Sequence, residues 1–470
     1  MVVYLTAAYF HVGYVHADEY YQIFQFAAYK IGLSVLRTPW EFTDQMRSAF
    51  LPTIIIIVYK IYAVFTTPNP FIIGFIMRLI ASSLSLVSLI IFIKAFLPTI
   101  RNEKYKRWFI LLTLFTWSST YYNIHYCSET ISGNFYLIGF SVLFLNFNST
   151  SLNKNYLQYI FCGIFLGLAF TTRFQTAFLI IGLFAWLIFI NKIKFKHLIT
   201  IAIVTLTTVI IANICIDYWF YGKWTITAWN YFKQNIILNK VNGYGEEPWY
   251  YYIYMTATIL PFGPLYVIGT LLIFFYKPLN VLTWILLTFI IGHSLIGHKE
   301  IRFMVPILNI MPLCIIYGLQ ILDDRFKYNS ANRWPKCIKA MWYINCFLFS
   351  ILLIPPTTEL PVWLYIYDSY KTPTVYYFLT YGGSDVDFYK NQNIESKRIE
   401  SISEIRCHQD KKCLLGLTCS QAFENNFPYP AKIVYSQCPQ WLYKVNFGNW
   451  MGRTAIYNVY ELDDTDASAK

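Results

Sequence analysis

Apolar runs close to the length needed to cross about 30 Å of hydrocarbon recur along most of this 470-residue chain. They lie near residues 1–15, 70–96, 108–122, 131–147, 156–171, 174–190, 198–216, 250–274, 279–297, 303–322 and 338–355. Helices satisfy their own backbone groups where no water reaches, so runs of this kind predict an all-α polytopic membrane protein with about eleven spans. Charged residues make up only 13% of the chain, about half the roughly 25% usual for soluble domains, and hydrophobic residues reach 56%. A soluble domain of this size could not hide that much apolar surface. Cytosolic enzymes, disordered chains and nucleic-acid binders are therefore poor readings despite the net charge of +12. Membrane lipids are the expected surroundings, and nucleic acid is not an expected partner.

Charge placement divides the chain and orients it. Residues 1–355 hold 26 Lys and Arg against 12 Asp and Glu, whereas residues 356–470 hold 11 against 13. The first stretch, 1–355, reads as a polytopic membrane domain and the second, 356–470, as a small extracytoplasmic α/β or α+β domain. Within the tail, KIVYS, WLYKV and TAIYNVYEL read as strands. The apolar stretch 51–66 is barely long enough to cross. Read as an interfacial helix within a first outer loop, residues 16–69, it leaves the basic loops 101–107, 192–197 and 323–339 on the cytoplasmic side. Nine acids then face outward: Asp18, Glu19, Glu41, Asp44, Glu129, Asp217, Glu246, Glu247 and Glu300. The first run has no basic residue ahead of it, which argues against a cleaved signal peptide. The sequon Asn148-Ser149-Thr150 falls on the cytoplasmic side and is expected to be unused.

The tail carries Cys407, Cys413, Cys419 and Cys438. In an oxidising compartment four cysteines predict two disulfides, in any of three pairings. Thiols and a zinc site are the alternatives, although C-x5-C-x5-C-x18-C matches no standard zinc spacing.

Several short motifs carry candidate chemistry. The segment H-A-D-E-Y-Y-Q (16–22) sets His16 and two carboxylates, Asp18 and Glu19, at the exit of the first run. A carboxylate there could take a proton from a sugar hydroxyl, bind a cation, or cap a helix. T-P-W-E-F (38–42) and R-S-A-F-L-P (47–52) supply Glu41 and Arg47, and N-I-H-Y-C-S-E-T (123–130) supplies Glu129. Y-G-E-E-P-W-Y-Y-Y (244–252) offers Glu246, Glu247 and Trp249, a surface suited to sugar stacking and equally to an interfacial aromatic belt. H-K-E-I-R-F (298–303) gathers His298, Lys299 and Arg302, with Glu300 placed to orient one of them. Cationic donors so grouped fit a phosphate leaving group, and Arg173 stands alone as a further cation. Snorkelling of basic side chains and a buried, satisfied arginine are the alternatives.

Taken in order over about residues 10–305, these motifs resemble glycosyltransferase family 22, mannosyltransferases of the GT-C superfamily that include those of GPI-anchor and N-glycan assembly. Cys438-Pro439 resembles a feature of the extracytoplasmic domain of the GPI-type members. The chain departs from the family at Ala17, where members usually have Pro, and near Glu246-Glu247, where His or Thr-His is usual. The resemblance implies a GT-C fold and an inverting transfer of mannose on the extracytoplasmic face. The donor would be a polyprenyl- or dolichyl-phosphate mannose and the acceptor a glycan or glycolipid, with no cofactor. It makes Asp18 the catalytic base, with Glu19 as its rival. His298, Lys299, Arg302 and Arg173 would hold the donor phosphate, while His16, Glu41, Arg47, Glu129, Glu246, Glu247, Trp249 and Glu300 would line the substrate site.

A transferase for another lipid-linked sugar, a transporter or flippase, and a scaffolding subunit are the competing classes. Transporters place charges near the bilayer midplane in repeated halves, whereas the charges here gather at helix ends. A bacterial inner membrane is preferred over an ER membrane on the Ile-, Asn-, Lys- and Tyr-rich composition and the compact tail.

Overall fold

The computed structural model describes residues 1–33, 38–145, 156–259, 261–327, 335–352, 358–379, 386–391, 393–408, 410–419, 421, 430–451 and 456–462. The sequon at 148–150 lies outside them. The chain forms two compact units. The first comprises residues 1–8, 39–57 and 76–352, and the second residues 9–38, 58–75 and 353–470.

The first unit is helical. Helix Ser128–Phe144 packs on Leu157–Thr172, which packs in turn on Phe195–Val209. Close approach here depends on small residues, as is usual where lipid supplies no hydrophobic drive between helices. A Cβ on Gly167 would stand 2.6 Å from Thr208 Cβ, and one on Gly163 2.8 Å from Val204 Cβ. Helix Ala177–Phe189 packs on Val281–Ser294, and Gly263–Tyr276 on Met311–Phe326.

Among the described residues, Pro70–Thr99 and Phe195–Tyr221 are each long and apolar enough to cross a membrane. Two more pairs qualify when joined, Gly263–Tyr276 with Val281–Ser294, bent by 116°, and Ile301–Leu308 with Met311–Phe326, bent by 70°. Helices Phe50–Phe65, Leu157–Thr172 and Phe174–Phe189 are apolar but shorter. By length and composition this supports two crossings, or four if each bent pair is one, where hydropathy counted eleven runs. The difference arises because hydropathy does not register backbone breaks. The run 1–15 yields only the nine-residue helix Val2–Phe10, about 14 Å long at 1.5 Å per residue. The run 108–122 is split at Thr116, which is extended. Prolines mark two other interruptions, Pro261 and Pro264 after Tyr251–Ile259, and Pro306 and Pro312 around Asn309–Ile310. Each lacks the N–H that a continuous helix needs.

The second unit is built on a mixed five-stranded sheet. The strands are β1 (Thr374–Leu379), β2 (Ile394–Ile399), β3 (Lys412–Thr418), β4 (Ala431–Ser436) and β5 (Tyr457–Leu462), in the order β2-β1-β3-β5-β4. β1 runs parallel to β2 and β3, while β5 runs antiparallel to β3 and β4. Val375, Tyr377, Leu415, Leu417 and Tyr460 share a core with Ile399, Ile402 and Ile405. Helix Leu360–Ser369 sets Trp363 edge-on to Tyr376 of β1, with ring centroids 5.0 Å apart. KIVYS and YNVYEL are strands, but WLYKV is not. Pro439 starts a turn there, its carbonyl accepting from Leu442 N–H at 2.9 Å, and Gln440–Val445 winds into 3-10 turns.

The segment read as the start of an outer loop belongs to this same unit, so the boundary is not the single cut at residue 355. Gln25 Nε2 donates to Asp387 Oδ2 at 2.8 Å, and Phe388 N–H donates to Tyr20 Oη at 3.1 Å. Phe24 packs edge-on to Phe388 at 5.3 Å. Burial of these rings and amides ties residues 20–25 to the turn Asp387–Tyr389.

Candidate active site

A buried cluster of opposite charges forms at the ends of three segments of the helical unit. Ser128 and Glu129 open helix Ser128–Phe144, so the Glu129 carboxylate also lies at the positive end of that helix. Arg173 is the extended residue that closes Leu157–Thr172, with φ −153° and ψ 111°. Arg302 lies in the 3-10 turn Ile301–Met304. Because the first two helices pack together, Arg173 Nη1 reaches Glu129 Oε1 at 2.7 Å and Ser128 Oγ at 3.2 Å. Arg302 Nη1 approaches the same Glu129 oxygen at 3.5 Å. Its Nε and Nη2 donate to the two Glu300 oxygens at 2.6 and 2.9 Å, a bidentate pair. Phe303 has both guanidinium carbons within cation–π range, Arg173 at 5.0 Å and Arg302 at 5.4 Å from its ring centre. Burial alone would push the Glu129 carboxyl up. Arg173 and Arg302, with help from Ser128, outweigh it and hold the carboxyl down at about 2.

His298 and Lys299 part company. His298 Nδ1 faces the Gly245 carbonyl at 3.1 Å, and Nε2 faces Glu300 Oε1 at 3.0 Å. Gly245 can present that carbonyl because its φ of +102° is open to glycine. Lys299 is buried and turned the other way, donating to the carbonyls of Glu247 at 2.7 Å and Gly297 at 3.2 Å. Burial draws its ammonium pKa down, with Glu247 and Glu246 opposing. Instead of joining Arg302, it pins the 244–252 loop to the turn before the motif. Glu246 and Glu247 are exposed on that loop, as is Trp249.

Arg47 and Glu41 lie in a neighbouring part of the same unit. They approach at 3.8 Å, and Arg47 lies over the Tyr231 ring at 5.3 Å. Gln175, two residues beyond Arg173, donates to the Tyr231 hydroxyl at 2.5 Å and so links the two regions. Asp217 organises the R-S-A turn from full burial, accepting from Ala49 N–H and from Thr227 Oγ1, each at 2.7 Å. The Tyr221 hydroxyl donates to the Arg47 carbonyl at 2.7 Å. Asp217 was legible only as one of the outward acids, and Tyr231 carried no signal in the sequence. Ser128 and Phe303 stood inside quoted motifs, yet their roles needed the fold.

His16, Asp18 and Glu19 belong to the second unit. His16 caps the short helix Ala17–Glu19, its Nδ1 accepting the Asp18 N–H at 3.2 Å. The Asp18 carboxylate approaches the same nitrogen at 3.7 Å. Glu19 is buried and folds back onto Val15 N–H at 2.9 Å, whereas the Asp18 side chain is one-third exposed. The two adjacent carboxylates thus occupy different environments. In the tail, Cys407 and Cys413 form a disulfide with Cα atoms 5.6 Å apart. Cys419 and Cys438 stand as thiols in one small cluster with Met451 and Ile456, so the second expected bridge is not formed.

Residues 1–362 match the model of the Alg9-like mannosyltransferase family. The chain is similar to GPI alpha-1,2-mannosyltransferase 3 of Xenopus laevis, 25% identical over 330 residues that cover 68% of this chain and 57% of the relative. The human protein of that name is 25% identical over 345 residues, covering 70% and 57%. GPI mannosyltransferase 4 of Schizosaccharomyces pombe is 29% identical over 314 residues, covering 63% and 56%. The chain thus spans a little over half the length of these relatives. Among solved structures, ArnT from Cupriavidus metallidurans bound to undecaprenyl phosphate aligns with a TM-score of 0.58 at 9% identity, covering 100% of this chain and 97% of that one. That likeness is one of fold.

Proposed function

The chain belongs to the Alg9-like mannosyltransferase family and has a GT-C fold, and on that premise we propose that it transfers mannose from a polyprenyl- or dolichyl-phosphate donor to a glycan or glycolipid acceptor. The transfer is inverting and occurs at the extracytoplasmic face, within a membrane domain of more spans than helix length alone delivers. The observation that carries this reading is the convergence of Arg173 and Arg302 on one buried carboxylate, Glu129. Two guanidinium groups thereby gather in a poorly solvated place. A lipid phosphodiester is an anion that such groups stabilise, increasingly so as the sugar departs.

In this mechanism the acceptor hydroxyl attacks the anomeric carbon once, from the face opposite the lipid phosphate. One base takes the hydroxyl proton as the bond forms, and cations stabilise the phosphate that leaves. Asp18 is the base, and its partial exposure beside a buried, hydrogen-bonded Glu19 supports that choice. Arg302 and Arg173 hold the phosphate, with Glu129 and Glu300 fixing their planes. A β-linked donor then gives an α-linked product.

The test is product analysis after incubating purified full chain with mannosyl-phosphoryl-polyprenol and a panel of glycolipid acceptors. An α-mannosylated product is expected. Transfer only from a different lipid-linked sugar would replace mannose in this reading, and movement of donor lipid across liposomes without any transfer would replace the enzyme with a transporter.

A further inference from the structure

Helix Ser128–Phe144 and the segment 301–309 touch at three successive heights. At the first, Glu129 meets Arg302 at 3.5 Å. At the second, Gly133 lies against Pro306, where an added Cβ would stand 2.7 Å from the Pro306 Cα. At the third, Asn309 Nδ2 donates to Asn134 Oδ1 at 3.2 Å. Asn309 stands at the 70° break between Ile301–Leu308 and Met311–Phe326. Its amide is also paired reciprocally with Asn123, both bonds being 3.1 Å. Asn134 in turn donates to Ser85 Oγ at 2.7 Å and accepts from Ser88 Oγ at 2.5 Å. All five side chains are buried.

Such a network is costly unless every member is engaged, so it selects one arrangement of the broken helix. Arg302 lies seven residues before Asn309, an arm of roughly 12 Å at the rises of 3-10 and α-helix. A tilt of about 10° at the break would carry Arg302 about 2 Å, enough to separate it from Glu129 and from any bound phosphate. Nothing else at that break supplies a polar tie of comparable depth to helix Ser128–Phe144 among the described hydrogen bonds.

We propose that Asn309, held by Asn134 and Asn123, is a positioning residue that fixes the break and thereby aims Arg302 at the donor phosphate. This rests on the reading of Arg302 as a phosphate ligand. It is tested on the full chain in detergent with Asn309→Ala, Arg302→Ala and the double variant. Donor KM, acceptor KM and kcat are measured for each, with hydrogen exchange across 299–308. Asn309→Ala is expected to raise donor KM about tenfold with acceptor KM unchanged, and to add less than about twofold in the Arg302→Ala background, since groups coupled through one backbone shift do not contribute independently. Exchange should quicken in 299–308 and in the first turns of 128–144, leaving the rest of the protein as it was. Gly133→Ala removes no hydrogen bond, displaces Pro306, and carries the same test should Asn309→Ala fail to fold. Additive effects in the double variant, or unchanged exchange across 299–308, overturn the proposal. If Arg302→Ala leaves donor KM unchanged, the phosphate assignment falls by itself, and exchange alone then decides whether Asn309 positions that segment.

Discussion

Arg173 and Glu129 stand 44 residues apart in sequence and 2.7 Å apart in space, each almost wholly buried. Their meeting depends on helices Ser128–Phe144 and Leu157–Thr172 packing so that the start of one lies beside the end of the other. Removing one partner of a buried pair strands a charge, which typically costs about 3–5 kcal/mol. Here a second cation, Arg302, would be left facing Arg173 as well.

Glu129 makes stability acid-sensitive in a defined window. Its folded pKa of about 2 lies below the ordinary 4.5, so its contribution is fully present above about 4.5 and is lost as pH falls toward 2. The shift corresponds to something on the order of 3 kcal/mol. Thermal unfolding in detergent should show wild-type protein losing its advantage over Glu129→Gln between pH 4.5 and pH 2. A constant gap between the two across that range would contradict the pairing.

Arg302→Ala should weaken donor use by about 1.5–3 kcal/mol, the scale of a charge-assisted hydrogen bond. Arg302→Lys should recover only part, because the bidentate grip on Glu300 needs the planar fork. Donor titrations of both variants measure this, and unchanged donor dependence in both would mark a structural arginine.

Asp18→Asn should slow single-turnover transfer by about 10²–10⁴-fold while donor and acceptor still bind. Glu19→Gln should be milder, since an amide oxygen can still accept from Val15 N–H, the bond that Glu19 makes at 2.9 Å. A nearly active Asp18→Asn beside a dead Glu19→Gln would reverse the assignment. Two active variants would end it.

In the tail, alkylation after unfolding without reductant should label Cys419 and Cys438 and spare Cys407 and Cys413. Cys407→Ser with Cys413→Ser should destabilise the sheet domain by about 2 kcal/mol, as expected for so short a closed loop. Peptide mapping that joins Cys419 to Cys438 would show the second bridge closing in the native compartment.

Much of the site was legible as motifs because chemistry-bearing residues at a membrane boundary are expensive and stand out. H-K-E-I-R-F, S-E-T and Arg173 are the residues that meet around Glu129. Lys299 was grouped with them because it sits between His298 and Arg302 in sequence. A reversal of side-chain direction within one turn sends it to backbone carbonyls instead. The tail strands within KIVYS and TAIYNVYEL followed from β-branched and aromatic residues, whereas WLYKV, also rich in aromatic residues, was redirected by Pro439.

By itself the sequence determined that this chain is a membrane protein with a polar tail, since apolar area and charge placement sum over residues whatever their partners. It also carried the motifs of the family. Tertiary structure alone decided where helices break, which residues Asp217 and Asn309 organise, and that residues 9–38 belong with the tail's sheet. Those outcomes depend on which buried amide, carboxylate or ring finds a partner far away in sequence. A buried polar group is stable only once that partner is in place.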